Sequence, residues 1–161
     1  MTDASKGFLL QAVPRVPEGA PVLADEDPKK HWLLSNGRSW QLALGQNVTD
    51  VDPAVHVAKT GVLFVGLYHG TAASVLPGDG CIAGRAMLRG DMVFWFDHGD
   101  LILAEGELEV AVFEAGGRFL WKGGLADVLE TAEVDAEGIL ELKDASGRTG
   151  RFEFRTGRPV A

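Results

Sequence analysis

Apolar and polar residues alternate in short runs along most of the chain, and turns containing glycine separate these runs. The run at residues 91–97 is apolar on both of its alternating faces, which predicts a strand that is covered on both sides, in the middle of a core. Residues 61–69 show the same property and predict a second central strand. Short extended runs joined by tight turns are typical of an antiparallel meander.

These runs predict an all-β fold: a single antiparallel, meander-rich β-sandwich or partly open barrel of about ten strands, with at most one or two short helices. This domain is expected to cover residues 31–161. Residues 125–132 fit either a short helix or a strand, and the turn that follows favours a strand at 128–134. Five aromatic side chains are expected in or beside the core: Phe64, Phe94, Trp95, Trp121 and Phe152.

Residues 1–30 differ from the rest of the chain. They hold four of the seven prolines and the acidic cluster Asp25-Glu26-Asp27, and they predict an extended, Pro-rich N-terminal arm. The segment 8–10 could form a strand or a docking point. The sequence leaves open whether the arm is docked or frayed.

A Gly-Arg step recurs at the predicted turns. Residues 114–118 and 144–148 match each other, and residues 36–40 are a weaker third version. We expect each glycine of these steps to adopt a positive φ before the return strand begins. The stretch at 110–121 resembles the strand–turn–strand part of a β-propeller blade. This resemblance implies meandering antiparallel sheet, and no function is carried over from it.

The chain of 161 residues has a formal net charge of −8 and an isoelectric point of about 4.9. This balance argues against nucleic-acid binding and against adsorption to anionic lipid, both of which need a basic surface. No run approaches the roughly 18 apolar residues of a membrane helix, and no secretory signal is seen, so a cytoplasmic location is expected. Cys81 is the only cysteine and is expected to be a small buried residue.

Candidate chemistry is concentrated around two histidines. Asp97-His98-Gly99-Asp100 could supply a general base or metal ligands, and His69 would join it if the two central strands pair. A hydrolase or metal enzyme is therefore one alternative. The same residues also suit a plain hairpin turn, and no H-x-H, H-E-x-x-H or C-x-x-C spacing supports a metal. The turn interpretation is favoured, no cofactor is expected, and an enzyme is the less favoured class.

The acidic surface carries the leading functional hypothesis. Glu105, Glu107 and Glu109 alternate along the second run, which predicts a ladder of carboxylates on one exposed face, and Glu130 and Glu133 add to this charge. The hypothesis is a non-catalytic protein that recognises a basic protein partner through these five glutamates, for example as a bacterial immunity-type inhibitor. A small-molecule-binding sandwich or barrel with an aromatic pocket is the other alternative, and the oligomeric state stays open.

Overall fold

The computed structural model describes residues 7–161, which form fifteen strands in four small sheets. The first sheet has the order β1-β3-β4-β2 and is built from β1 (Leu9–Val13), β2 (Val22–Ala24), β3 (Lys30–Ser35) and β4 (Gln41–Gln46). The second runs in chain order through β5 (Ala54–Val57), β6 (Leu63–Gly66), β7 (Thr71–Val75) and β8 (Ile82–Met87).

The other two sheets also follow chain order. The third contains β9 (Phe94–His98), β10 (Leu101–Glu105), β11 (Glu109–Glu114) and β12 (Phe119–Gly124). The fourth contains β13 (Leu129–Val134), β14 (Ile139–Asp144) and β15 (Thr149–Glu153). All pairs are antiparallel except β2 with β4. The predicted all-β, antiparallel architecture is confirmed.

Three apolar clusters join each sheet to the next one along the chain. Trp32 and Leu42 of the first sheet pack on Leu63 of the second, and Phe64 on the other face of the second sheet meets Phe113 of the third. The third cluster, between the third and fourth sheets, includes Val112 and Leu142. The core is therefore divided into layers between sheets stacked in series, because each interior sheet is apolar on both faces.

Five of the hairpins share one turn geometry. In each of these turns the carbonyl of the first residue accepts a hydrogen bond from the N–H of a glycine three residues later. The N–H of the first residue donates in turn to the carbonyl of the residue after that glycine. The five turns span 58–62, 67–71, 114–118, 135–139 and 144–148. All five glycines have positive φ, as does Gly37. The positive φ predicted for the Gly-Arg steps is confirmed, and this residue is glycine because the left-handed region strains other side chains.

Some details of the predicted architecture are wrong, and one is confirmed. Residues 7–161 form fifteen strands and not about ten, and their four small sheets, none of them closed into a barrel, do not match the expected sandwich or partly open barrel exactly. Residues 125–132 contain no helix, and the strand expected at 128–134 is present as β13. The run 61–69 holds the interior strand β6, but a turn begins at Leu67. Most importantly, β9 is an edge strand, so the run 91–97 does not lie in the middle of a sheet.

The predicted N-terminal arm contains two strands of the first sheet. β1 pairs with β3, and β2 pairs with β4. Pro28 packs close to Gly45, where a side chain larger than hydrogen would collide with the proline ring. The first six residues of the arm lie outside the described residues, and a domain boundary at residue 30 stays a prediction.

Two further findings concern the surface. Cys81 is exposed, so the prediction of a buried thiol is wrong. A hydrogen bond to Asp79 and the negative charge of that carboxylate raise the pKa of the Cys81 thiol. The described residues include no helix with the length and apolar character needed to span a membrane.

Candidate functional site

The four residues considered for catalysis do not come together. Asp97 lies 3.0 Å from Nε2 of His56, on the side of β9 that faces the second sheet. His69 places Nδ1 3.0 Å from Asp91. His98 points to the opposite side of β9 and packs edge-on against Phe154, with ring centroids 5.2 Å apart. Asp100 is bound by the guanidinium of Arg155.

The His-His-Asp cluster considered as an alternative is therefore not formed. Neighbouring side chains on a strand point to opposite faces, which separates Asp97 from His98. Among residues 7–161 no group of three histidine, cysteine or acidic side chains is placed to hold a metal ion. The arginine beside Asp100 donates a hydrogen bond that lowers the pKa of its carboxyl, as expected for a surface ion pair.

The predicted ladder of Glu105, Glu107 and Glu109 is also wrong. A hairpin interrupts the run, so Glu105 ends β10, Glu107 lies in the turn and Glu109 begins β11. Glu109 is only 8% exposed and binds Arg89 and Lys122, at 2.8 Å and 3.5 Å. Burial alone would raise the pKa of Glu109, but the hydrogen bonds from Arg89 hold it below its usual value. The side chain of Glu109 is buried in these ion pairs and is not available to a partner.

Glu130 and Glu133 are exposed on β13, in the fourth sheet. Glu130 lies 3.6 Å from Lys143, and on the neighbouring strands Glu141 lies 3.6 Å from Arg151. Exposed pairs of this kind contribute little to stability, but they neutralise part of the charge on this sheet. Glu130 and Glu133 are thus accessible, and part of the charge around them is neutralised within the sheet.

A surface that the sequence did not predict lies along β9. Phe94 is 53% exposed and Phe96 is 45% exposed, and Met92 and Val128 are exposed beside them. Both phenylalanines lie on the face of β9 that is directed toward the fourth sheet, in register with Glu105 and Leu103. Large exposed aromatic side chains in a row are uncommon on proteins without partners, and they mark interaction sites.

An open groove of about 420 Å³ borders this row at the end nearest Phe94. We call it the β9 groove, and it is lined by Tyr68, Asp91, Met92, Phe94, Glu105, Glu107, Val128 and Leu129. Its apolar lining comes from three separate segments of the chain. Its charged lining consists of three carboxylates, while Arg89, two residues before Asp91 in the sequence, and Lys122 bind Glu109.

Of the three groove carboxylates, Glu105 is the one whose loss of hydration is least offset by other groups. Burial against its neighbours raises the pKa of Glu105, and no hydrogen bond or positive charge among the described residues offsets this. Glu107, by contrast, accepts a hydrogen bond from the backbone N–H of Asp91 at 3.2 Å. A half-buried carboxylate without a cation loses hydration and gains no ion pair, which is unfavourable for the folded protein by itself.

The backbone next to the groove is strained. Met92 has a φ of 65°, in the left-handed region that side chains other than glycine rarely adopt. Its N–H donates to the carbonyl of Tyr68 at 2.6 Å, and this bond fixes the start of β9. Gly90 has a φ of 98° and packs on the side chain of Glu107. Such strain is concentrated at functional sites more often than elsewhere.

Tyr68 lines the groove, and His69 follows it in the sequence. Their rings pack edge-on with centroids 5.1 Å apart. The negative charge of Asp91 raises the pKa of the Tyr68 hydroxyl, so the phenol stays neutral at physiological pH. The groove therefore combines neutral aromatic faces with carboxylates.

Comparisons with known proteins add evidence on the fold alone. No protein-family model matches the chain, and a search of curated proteins finds no match. A crystal structure of HIRA residues 644–1017 is 12% identical, with a TM-score of 0.50 over 95% of this chain and 48% of that one. The crystal structure of BamB from Moraxella catarrhalis is 15% identical, with a TM-score of 0.48 over 95% of this chain and 51% of that one. The computationally designed Ika8 protein is 13% identical, with a TM-score of 0.49 over 81% of this chain and 45% of that one. The chain spans about half the length of these three structures. At such low identity the likeness to HIRA supports the all-β fold and nothing about activity.

Proposed function

We propose that the protein is a non-catalytic interaction module that binds a basic segment of a protein partner at the β9 groove. The observation that carries this proposal is the position of Phe94, half exposed beside the half-buried carboxylate of Glu105. The exposed ring needs apolar cover, and the carboxylate needs a cation. One kind of ligand supplies both.

That ligand is a lysine or arginine side chain. Its aliphatic stem covers apolar surface while its charged head stays near oxygen acceptors or water. A cation held over an aromatic face gains about 0.5–1 kcal/mol at an exposed site, and more when water is excluded. Glu105, Glu107 and Asp91 together favour a segment with more than one positive charge, and the net charge of −8 assists its approach at low ionic strength.

The proposal keeps the class of partner inferred from the sequence and moves the binding surface. Glu105 and Glu107 remain in it, Glu109 leaves it, and Glu130 and Glu133 lie on a different sheet. A bacterial immunity-type inhibitor, cytoplasmic and acidic, is one concrete form of such a protein. This form rests on the analogy of size and charge.

Titration with a defined cationic probe tests the proposal. The heptapeptide Lys-Val-Lys-Val-Lys-Val-Lys offers alternating cationic and apolar side chains, and its Glu-Val counterpart reverses the charge. We expect the cationic peptide to bind with a Kd that rises with salt, and the acidic peptide not to bind. Intrinsic tryptophan fluorescence, to which Trp95 on the same strand as Phe94 contributes, follows the titration.

Matched variants locate the binding surface. Phe94→Ala and Glu105→Gln are expected to raise the Kd by about tenfold or more, the range of an interface hot spot. Ile82→Ala removes an apolar side chain of similar exposure on β8, and Glu130→Gln removes an exposed carboxylate on β13; both should leave the Kd unchanged. The proposed function would be refuted if the two control variants raised the Kd as much as the two groove variants. It would also be refuted if the cationic and acidic peptides bound equally well.

A further inference from the structure

We infer that the partner segment binds in extended conformation as an added strand on the free edge of β9. This inference rests on the proposed function, because it specifies how the basic segment is held. It starts from the position of β9 in the third sheet, whose order is β12-β11-β10-β9. One edge of β9 pairs with β10, and the other edge pairs with no strand in the described part of the chain.

The register shows which backbone groups are free. His98 and Leu101 flank a two-residue turn, so these two residues form a hydrogen-bonded pair. Because hydrogen-bonded and non-hydrogen-bonded pairs alternate along an antiparallel ladder, the next residues whose backbone groups bond to β10 are Phe96 and Phe94. The N–H and C=O groups of Trp95 and Asp97 consequently point away from β10. No backbone hydrogen bond from either residue to another segment is found within residues 7–161.

Six of the seven other edge strands in the described residues carry features that discourage pairing, and β9 lacks them. β8, β12 and β13 pair with their neighbours through bulges, β2 has three residues and β5 has four. β15 is covered by the C-terminal segment, through a bridge between Phe152 and Pro159. β9 is a regular strand of five residues, without a bulge, proline, lysine or arginine. Native proteins leave such an edge open only rarely, because it is a template for pairing with another chain.

β1 is the other edge strand without these features, and the charge distribution separates the two. β1 has the sequence Leu-Leu-Gln-Ala-Val and carries no charge. β9 carries Asp97, and its exposed face leads into the carboxylates of the β9 groove. Charge complementarity therefore assigns the basic segment to β9.

The side chains of an added strand would alternate between two different surroundings. On one face they would lie next to Phe94 and Phe96, where a long cationic side chain can cross the Phe94 ring toward Glu105. On the other face they would lie next to Trp95 and Asp97. Main-chain hydrogen bonds to Trp95 and Asp97 would supply affinity that does not depend on the partner's sequence, and the flanking side chains would select cationic residues.

N-methylated forms of the probe peptide test this mode of binding. An extended peptide offers the N–H groups of alternate residues to one edge, so methylation of the backbone nitrogens at all lysines, or at all valines, blocks one edge and leaves the other. We expect one methylated form to bind at least tenfold more weakly than the other. Equal Kd values for the two forms, with the unmodified peptide still bound, would overturn the added strand and leave the proposed function standing. If the unmodified peptide does not bind at all, both the added strand and the proposed function are overturned.

A protein variant gives an independent test with its own control. Asp97→Pro removes an N–H that points away from β10, a position at which an edge strand tolerates proline. Asp97→Ala removes the same carboxylate and keeps the N–H. We expect Asp97→Pro to bind the cationic peptide at least tenfold more weakly than Asp97→Ala, with similar thermal stability for both variants. Equal binding by the two folded variants would contradict the inference.

Discussion

Trp40 closes over Gly80, and its indole Nε1 donates a hydrogen bond of 2.8 Å to the carbonyl of Pro77. Trp121 repeats this arrangement further along the chain: its ring lies on Gly157 and its Nε1 donates to Phe154 at 2.8 Å. In both cases the glycine has positive φ and follows the acceptor residue by three positions. Each tryptophan thereby ties one sheet to the next.

Removing the indole N–H from either tryptophan should destabilise the protein. In Trp40→Phe or Trp121→Phe a carbonyl at the junction of two sheets loses its donor, which typically costs about 1–3 kcal/mol. Urea denaturation followed by circular dichroism measures the change in the free energy of unfolding. Both variants should lose stability without a change in the denaturant dependence.

Trp95 provides the matched control for this loss. Its Nε1 is buried and finds no hydrogen-bond acceptor within the described residues. Trp95→Phe removes similar ring volume together with an unsatisfied donor, so it should cost less than either of the other two substitutions. A larger loss for Trp95→Phe would show that ring packing, and not the hydrogen bond, makes the junction stable.

Glu105→Gln should raise stability near neutral pH while it weakens binding. Burial raises the pKa of Glu105 in the folded protein, so the proton-bound form is the one that folding favours. The resulting stability is fully present below the unfolded pKa of about 4.3 and is lost as pH rises through the folded value. The variant is always neutral and should gain on the order of 1 °C in Tm near neutral pH. The gain should disappear in acid, and its persistence there would exclude ionisation as the cause.

Met92→Gly should be more stable than Met92→Ala. The φ of 65° strains any side chain, and glycine adopts it without that cost. We expect a difference of about 1 kcal/mol in the free energy of unfolding, measured by urea denaturation. Both variants remove the exposed thioether side chain, so the comparison isolates the backbone. A more stable alanine variant would show that the turn relaxes to an unstrained conformation.

Acid should weaken the turn that holds Asp144. The Ser146 hydroxyl and the backbone N–H groups of Arg148 and Ser146 donate to this carboxylate and lower its pKa. A lowered folded pKa gives stability that is present above the unfolded pKa and lost as pH falls through the folded value. Asp144→Asn should therefore be less stable near neutral pH, and its stability should fall less steeply in acid. Parallel pH profiles of the two proteins would contradict this role.

The sequence was a good guide to elements and turns. Alternating runs correctly indicated antiparallel sheet, and the Gly-Arg steps correctly indicated positive φ at Gly117 and Gly147. The reason is that both signals are local: a strand alternates with period two, and the left-handed region selects glycine.

The candidate site could not be found in this way, because edge position is a property of the whole sheet. A run that is apolar on both faces is compatible with an interior strand and also with an edge strand that has one apolar face exposed. Phe94 was therefore expected in the core, although its side chain is exposed. The hairpin at Gly106 likewise breaks the row of glutamates and buries Glu109, which alternation alone does not reveal.

Binding of a basic segment at the β9 groove can be located residue by residue from backbone amide NMR spectra of the labelled protein, recorded during titration with the Lys-Val heptapeptide. We expect the largest shift changes from Met92 to Asp97 and at Glu105 to Glu107, and little change at the amides of Glu130 and Glu133. Changes centred on the fourth sheet, or spread evenly over the acidic surface, would contradict binding at the β9 groove.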